Sequence, residues 1–130
     1  MDAGTYIVTS TILIPGGAKI VGESYPVIMS RGSFFANMNS PQPVVQVGKP
    51  GEAGYVEWSD MLVGVQGAQA GAVLIEWNLN SPDTAPSGMW DVHARVGGTI
   101  GSQLQVSIMS KTSEPADDIT ARPVPDHTGR

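Results

Sequence analysis

Tyr6-Ile7-Val8-Thr9-Ser10-Thr11-Ile12-Leu13-Ile14 is followed directly by Pro15-Gly16-Gly17. The nine residues are almost all β-branched or aromatic, the side chains that fit a pleated, half-buried surface. Proline then presets a turn dihedral and two glycines supply any positive φ the turn needs. The stretch reads as a strand from Tyr6 to Ile14 closed by a tight turn. Ala18-Lys19-Ile20-Val21-Gly22 follows as a second short strand ended by glycine, and Tyr25 to Met29 as a third, with Arg31-Gly32 after it.

The same grammar continues outward. Pro43 to Val47 is bracketed by Pro41 and by Gly48-Lys49-Pro50-Gly51, which leaves room for a strand of four or five residues. Tyr55 to Val65 places Val56, Trp58, Met61 and Val63 inward only if the alternation slips once, and a bulge near Asp60 accounts for the slip. Ala72 to Trp77, Met89 to Val96 and Leu104 to Ile108 are the remaining strand candidates. Strand centres at Ile28, Val45, Trp58, Leu74, Val92 and Val106 are separated by 17, 13, 16, 18 and 14 residues. A helical period fails in most windows, and neither Asn-Gly nor Asp-Gly hairpin turns occur. Sequential strands are therefore poor hairpin partners. The rhythm suits an all-β, right-handed parallel β-helix, a partial solenoid in which each strand pairs with its equivalent one turn away. A β-sandwich would show a similar number of short strands, but with hairpin turns and cleaner two-face alternation.

Composition narrows the function classes. Gly 16 and Pro 10 among 130 residues punctuate many short segments rather than a few long helices. A net charge of −5 and a pI near 4.7 argue against nucleic acid as partner, because phosphate binding needs clustered Lys and Arg. No run approaches the roughly 20 apolar residues of a membrane helix, so no membrane partner is expected. Without cysteine there is no disulfide framework, thiolate metal site or thiol nucleophile. No Walker loop and no Gly-x-Ser-x-Gly elbow are present, and neither a cofactor nor a metal is expected. The start, Met1-Asp2-Ala3-Gly4, has no basic and apolar leader, which by itself reads as intracellular. From Ser110 to Arg130 the chain has no aromatic residue, three prolines and seven charges. Such a segment buries too little to order itself, so the reading divides the chain into a β-helical domain, 1–109, and a disordered tail, 110–130.

Several blocks, in order, resemble the fungal β-1,3-glucanases of glycoside hydrolase family 55. They are Tyr6 to Glu23, Pro41 to Gly48, Tyr55 to Met61 with Gln66 to Gly71, and Ile75-Glu76-Trp77-Asn78 with Gly88-Met89-Trp90-Asp91-Val92-His93. The likeness runs from residue 2 to about 108 and corresponds to the first part of the second of two tandem β-helical units. It implies a pectate-lyase-like β-helix from a secreted enzyme that acts on β-1,3-glucan. The family's general acid lies further along that unit, beyond the matching stretch. The chain is therefore expected to be a truncated segment, inactive alone, and its status as an enzyme is open. Open ends of a cut β-helix would also favour self-association.

Glycoside hydrolysis uses two carboxyl groups, about 5 Å apart in retaining enzymes or about 6.5–9.5 Å apart in inverting ones, with the acid raised in pKa. Glu57 and Glu76 are the catalytic candidates, since both sit in strands that neighbouring turns would bring together; solvated outward-facing carboxylates are the ordinary alternative. Trp77 and Trp90 are candidate sugar platforms, against the ordinary reading of tryptophan in apolar strands as packing. Asp91 and His93, two residues apart on one strand, would share a face and complete the candidate substrate-binding set. A non-catalytic β-glucan-binding module is the alternative function.

Overall fold

The run from Tyr6 to Ile14 is two strands, not one. In the computed structural model, which describes residues 1–104, β1 (Thr5–Val8) and β2 (Ile12–Ile14) flank a corner at Thr9, Ser10 and Thr11. Thr9 and Ser10 are exposed, and the Thr11 hydroxyl donates to the Pro43 carbonyl at 2.6 Å. This polar corner carries the chain from one sheet to another while Val8 and Ile12 pack against the same core. β propensity alone does not distinguish a corner rich in threonine from a continuing strand.

Six further strands follow: β3 (Lys19–Val21), β4 (Val27–Ser30), β5 (Gln42–Val47), β6 (Glu57–Val65), β7 (Ala72–Trp77) and β8 (Gly88–Arg95). The expected tail, 110–130, and all but the first residue of the expected Leu104–Ile108 strand lie outside the described residues. Among the described residues the one helical element is a 3₁₀ turn, Ser33–Phe35, which the sequence reading did not assign; Phe35 is completely buried and meets the exposed Phe34 ring edge-on at 5.0 Å.

The described residues are all-β, with their strands in two parallel sheets. One holds β1, β4, β6, β3 and β8, the other β2, β5 and β7. Every ladder between the named strands is parallel, in keeping with the missing hairpin turns. The chain alternates between sheets, and a strand's partner is reached only after a full circuit through both. Val45 of β5 pairs with Ile75 of β7, 30 residues on, and Glu57 of β6 with Gly88 of β8, 31 residues on. The 13- to 18-residue spacing of strand centres is therefore half a circuit.

The slip at Asp60 is present, but no residue is inserted. Ser59 pairs with Trp90 and Met61 with Val92, so the register between β6 and β8 is constant across the bend. Asp60 and its counterpart Asp91 both take the left-handed conformation, with φ of 59° and 51°. Aspartate tolerates that region better than most residues. Each of the two strands bends there and serves two successive circuits. In the first circuit the same joint is an open connection, Gly22 to Pro26, between β3 and β4.

The core is a set of apolar rows crossing the ladders. Ile14, Val47 and Trp77 form one row; Ile12, Val45 and Ile75 another; Ile20, Trp58 and Met89 a third. Val45, Val47, Trp58 and Val63 are fully buried. Burying a side chain of this kind is worth about 1.5–3 kcal/mol relative to leaving it exposed, so the rows hold the sheets together. Outward rows alternate with them: Lys19–Glu57–Gly88, Val21–Ser59–Trp90 and Leu13–Gln46–Glu76.

Candidate functional site

Two outward faces carry the candidate residues. On the larger sheet, Lys19 and Glu57 are ladder neighbours and their side chains form an ion pair at 3.4 Å. Beside them a hollow of about 420 Å³ is lined by Lys19, Val21, Glu57, Ser59 and Trp90, among others. Trp90 is 55% exposed, and its ring folds back over Gly88, two residues earlier on the same face. A Cβ at Gly88 would stand 2.7 Å from Cη2 and Cζ2 of the indole, so only glycine leaves the ring room to lie there.

On the smaller sheet, one oxygen of Glu76 accepts hydrogen bonds from Asn78 Nδ2 at 2.7 Å and Gln46 Nε2 at 2.8 Å. These two donors hold its carboxyl below the ordinary glutamate pKa, outweighing a smaller desolvation effect in the other direction. Glu57 and Glu76 thus stand in different sheets, and no hydrogen bond or shared partner joins them.

The three tryptophans separate cleanly. Trp58 is fully buried and its Nε1–H points to Met61 Sδ at 3.0 Å. Trp77 is half-buried, packs against the core and donates to the Leu79 carbonyl at 3.2 Å. Trp90 alone of the three offers its ring to solvent. Asp91 and His93 are both exposed. Asp91 takes a left-handed conformation, with φ of 51°, and no hydrogen bond joins the two side chains. His93 instead has the Tyr25 ring as a neighbour, with centroids 6.5 Å apart. Among the described residues no group of three His, Cys, Asp or Glu side chains is placed to hold a metal ion.

No protein-family model matches the chain. It is 51% identical over 106 residues to the glucan 1,3-β-glucosidase of Cochliobolus carbonum, an alignment covering 82% of this chain and 13% of that protein. It is 47% identical over 111 residues to the probable glucan endo-1,3-β-glucosidase of Arthroderma benhamiae, covering 85% and 13% respectively. The chain is homologous to a segment of the fungal β-1,3-glucanases. It is also 45% identical over 109 residues, 84% of its length, to 8% of a Penicillium expansum protein named non-secreted LysM effector LysM15.

For a glucanase segment, the chemistry asked of a carboxyl pair is specific. One group must stay protonated near neutral pH, which requires a raised pKa. Glu76 is shifted the opposite way, and Glu57 is exposed with a lysine beside it.

A third glutamate, unremarked in the sequence, is built into the glucanase segment as a clasp. Glu52 Oε2 accepts from the Lys49 amide at 2.7 Å and Oε1 from the Gly16 amide at 2.9 Å, joining the turn after β2 to the turn after β5. These backbone donors lower its pKa below the model-peptide value of 4.5, the Lys49 amide contributing most. A carboxyl with a depressed folded-state pKa contributes stability that is present above the unfolded pKa and lost as pH falls through the folded one. Melting temperature is therefore expected to fall as the pH drops below about 4.5, with Glu52 and Glu76 contributing in the same direction. Glu52→Gln should melt lower than the wild type at pH 7 and show a shallower acid dependence in circular-dichroism melts. Identical pH profiles for the two proteins would remove Glu52 from this account.

Proposed function

We propose that this chain is a stretch of right-handed parallel β-helix from the second β-helical unit of a glycoside hydrolase family 55 enzyme. It serves as scaffold and does not hydrolyse β-1,3-glucan by itself. The relatives' printed activities and the parallel, alternating two-sheet path support the first part. The placement of Glu57 and Glu76 carries the second: they lie in separate sheets, one ion-paired with Lys19, the other held ionised by Asn78 and Gln46. The chain spans 13% of the length of the two glucosidases named above, and the scaffold role leaves the reaction to groups supplied by the rest of such an enzyme. Under this reading the partners are β-1,3-glucan and, through unpaired strand edges, a second copy of the chain.

The purified chain incubated with laminarin should release no glucose above a protein-free blank over a day. Release that Glu57→Gln or Glu76→Gln abolishes would overturn the scaffold role.

A further inference from the structure

Trp90 is placed to do something that its position in the fold does not require. Its neighbour Met89 is in register with buried Trp58 and, at the open edge of the sheet, is 43% exposed, so a strand added beyond β8 would cover Met89 and leave Trp90 on the outer face. The indole is not held there by a protein hydrogen bond: Trp58 and Trp77 each have an Nε1–H partner, and Trp90 has none among the described residues. Its flank is polar as well as apolar. Ser59 lies directly across the ladder, and the Lys19–Glu57 pair borders the same hollow. Val21, 63% exposed, completes the row.

An open aromatic face rimmed by a hydroxyl, a carboxylate and an ammonium matches the two kinds of surface on a pyranose, C–H groups on the ring face and hydroxyls on the edge. Binding hollows for small molecules run from about 300 to 1,000 Å³, and this one, at about 420 Å³, holds one or two sugar units rather than a long chain. The local charges form a pair, and the protein as a whole carries a net charge of −5, so a neutral sugar is favoured over a uronate. A protein partner seeking an apolar contact would find it interrupted by that ion pair.

We propose that Trp90, laid over Gly88 beside Ser59 and the Lys19–Glu57 pair, is a stacking platform for a glucosyl ring of a neutral β-linked glucan. The choice of glucan rests on the β-1,3-glucanase reading above; the stacking site rests on the geometry.

The test follows the three indole N–H resonances of the ¹⁵N-labelled chain during titration with laminaritetraose, with glucose release measured on the same samples. The Trp90 resonance should move with ligand while those of Trp58 and Trp77 stay in place. Trp90→Ala should weaken binding at least roughly tenfold without lowering the melting temperature, and Trp90→Phe should recover part of it. Gly88→Ala, which displaces the ring without deleting it, should lose affinity alongside Trp90→Ala. A tetragalacturonate should not move the resonance. Movement without glucose release supports both the platform and the scaffold role. Movement with release keeps the platform and removes the scaffold role. No movement at tens of millimolar laminaritetraose, or equal affinity in Trp90→Ala, overturns the platform whether or not glucose appears.

Discussion

Trp58→Ala should cost the fold about 3–5 kcal/mol, the range for emptying a large aromatic site in a packed core. Trp58 is fully buried in the row between Ile20 and Met89, and its indole N–H sits 3.0 Å from the sulfur of Met61, also buried. Alanine would leave a hole between the sheets and strand Met61 without its polar neighbour. Small domains are stable by only about 5–15 kcal/mol, so the loss is a large share of the total. In a domain of about 100 residues, each kcal/mol shifts Tm by roughly 4–8 °C, and the variant should melt at least about 12 °C below the wild type. Trp90→Ala is the matched comparison, an exposed tryptophan removed from the same sheet with little change in Tm. Similar melting of both variants would show that Trp58 does not anchor the core.

The second large effect falls on Gly22. Its amide donates to the Ser59 carbonyl at 2.9 Å, and the backbone passes directly against the bend at Asp60. A Cβ there would overlap the Asp60 carbonyl oxygen and lie 2.6 Å from Met61 Cγ and 2.7 Å from Pro26 Cδ. One of these neighbours is backbone and another a proline ring, so little can yield. Overpacking typically costs about 1–3 kcal/mol, and Gly22→Ala should reach or exceed the upper figure, with Gly22→Val worse. Gly17→Ala is the contrasting case: a Cβ there meets nothing within 4 Å, so any cost comes from its positive φ of 89°. Chemical denaturation of the pair separates crowding from backbone preference. A Gly22→Ala midpoint no lower than that of Gly17→Ala would mean that the bend can open.

Much of this architecture was legible because strands of five or more residues carry their own boundary signals. Ala72–Trp77 was read to the residue, and Val56, Trp58, Met61 and Val63 face inward as the slipped alternation required. Missing hairpin dipeptides pointed correctly to parallel pairing. The Thr9–Thr11 corner was hidden because threonine suits strands and corners alike, and the bend at Asp60 looked like an inserted residue because periodicity registers a slip without its cause. The bend at Asp91 was hidden for a related reason: a left-handed residue breaks the two-residue period without leaving a glycine to mark it. Among the tryptophans, all three occupy similar apolar strings; only the ladder shows that Trp90 faces outward over Gly88 while Trp58 faces in. Glu52 was invisible because its role depends on a turn 36 residues earlier in the chain.

The joint between successive circuits has a consequence for how such a chain can change over generations. Five residues bridge Val21 and Val27 there, but only two bridge Ser59 and Leu62, and again two bridge Trp90 and His93. The ladders on either side keep their pairing in all three cases. Insertions and deletions confined to this joint leave the inward residues on either side in their rows, whereas a single residue added elsewhere in β6, within one of its paired stretches, would turn the following residues of that stretch inside out. Variation in length among relatives should therefore collect at the joints, where new outward surface can be gained without disturbing the apolar rows.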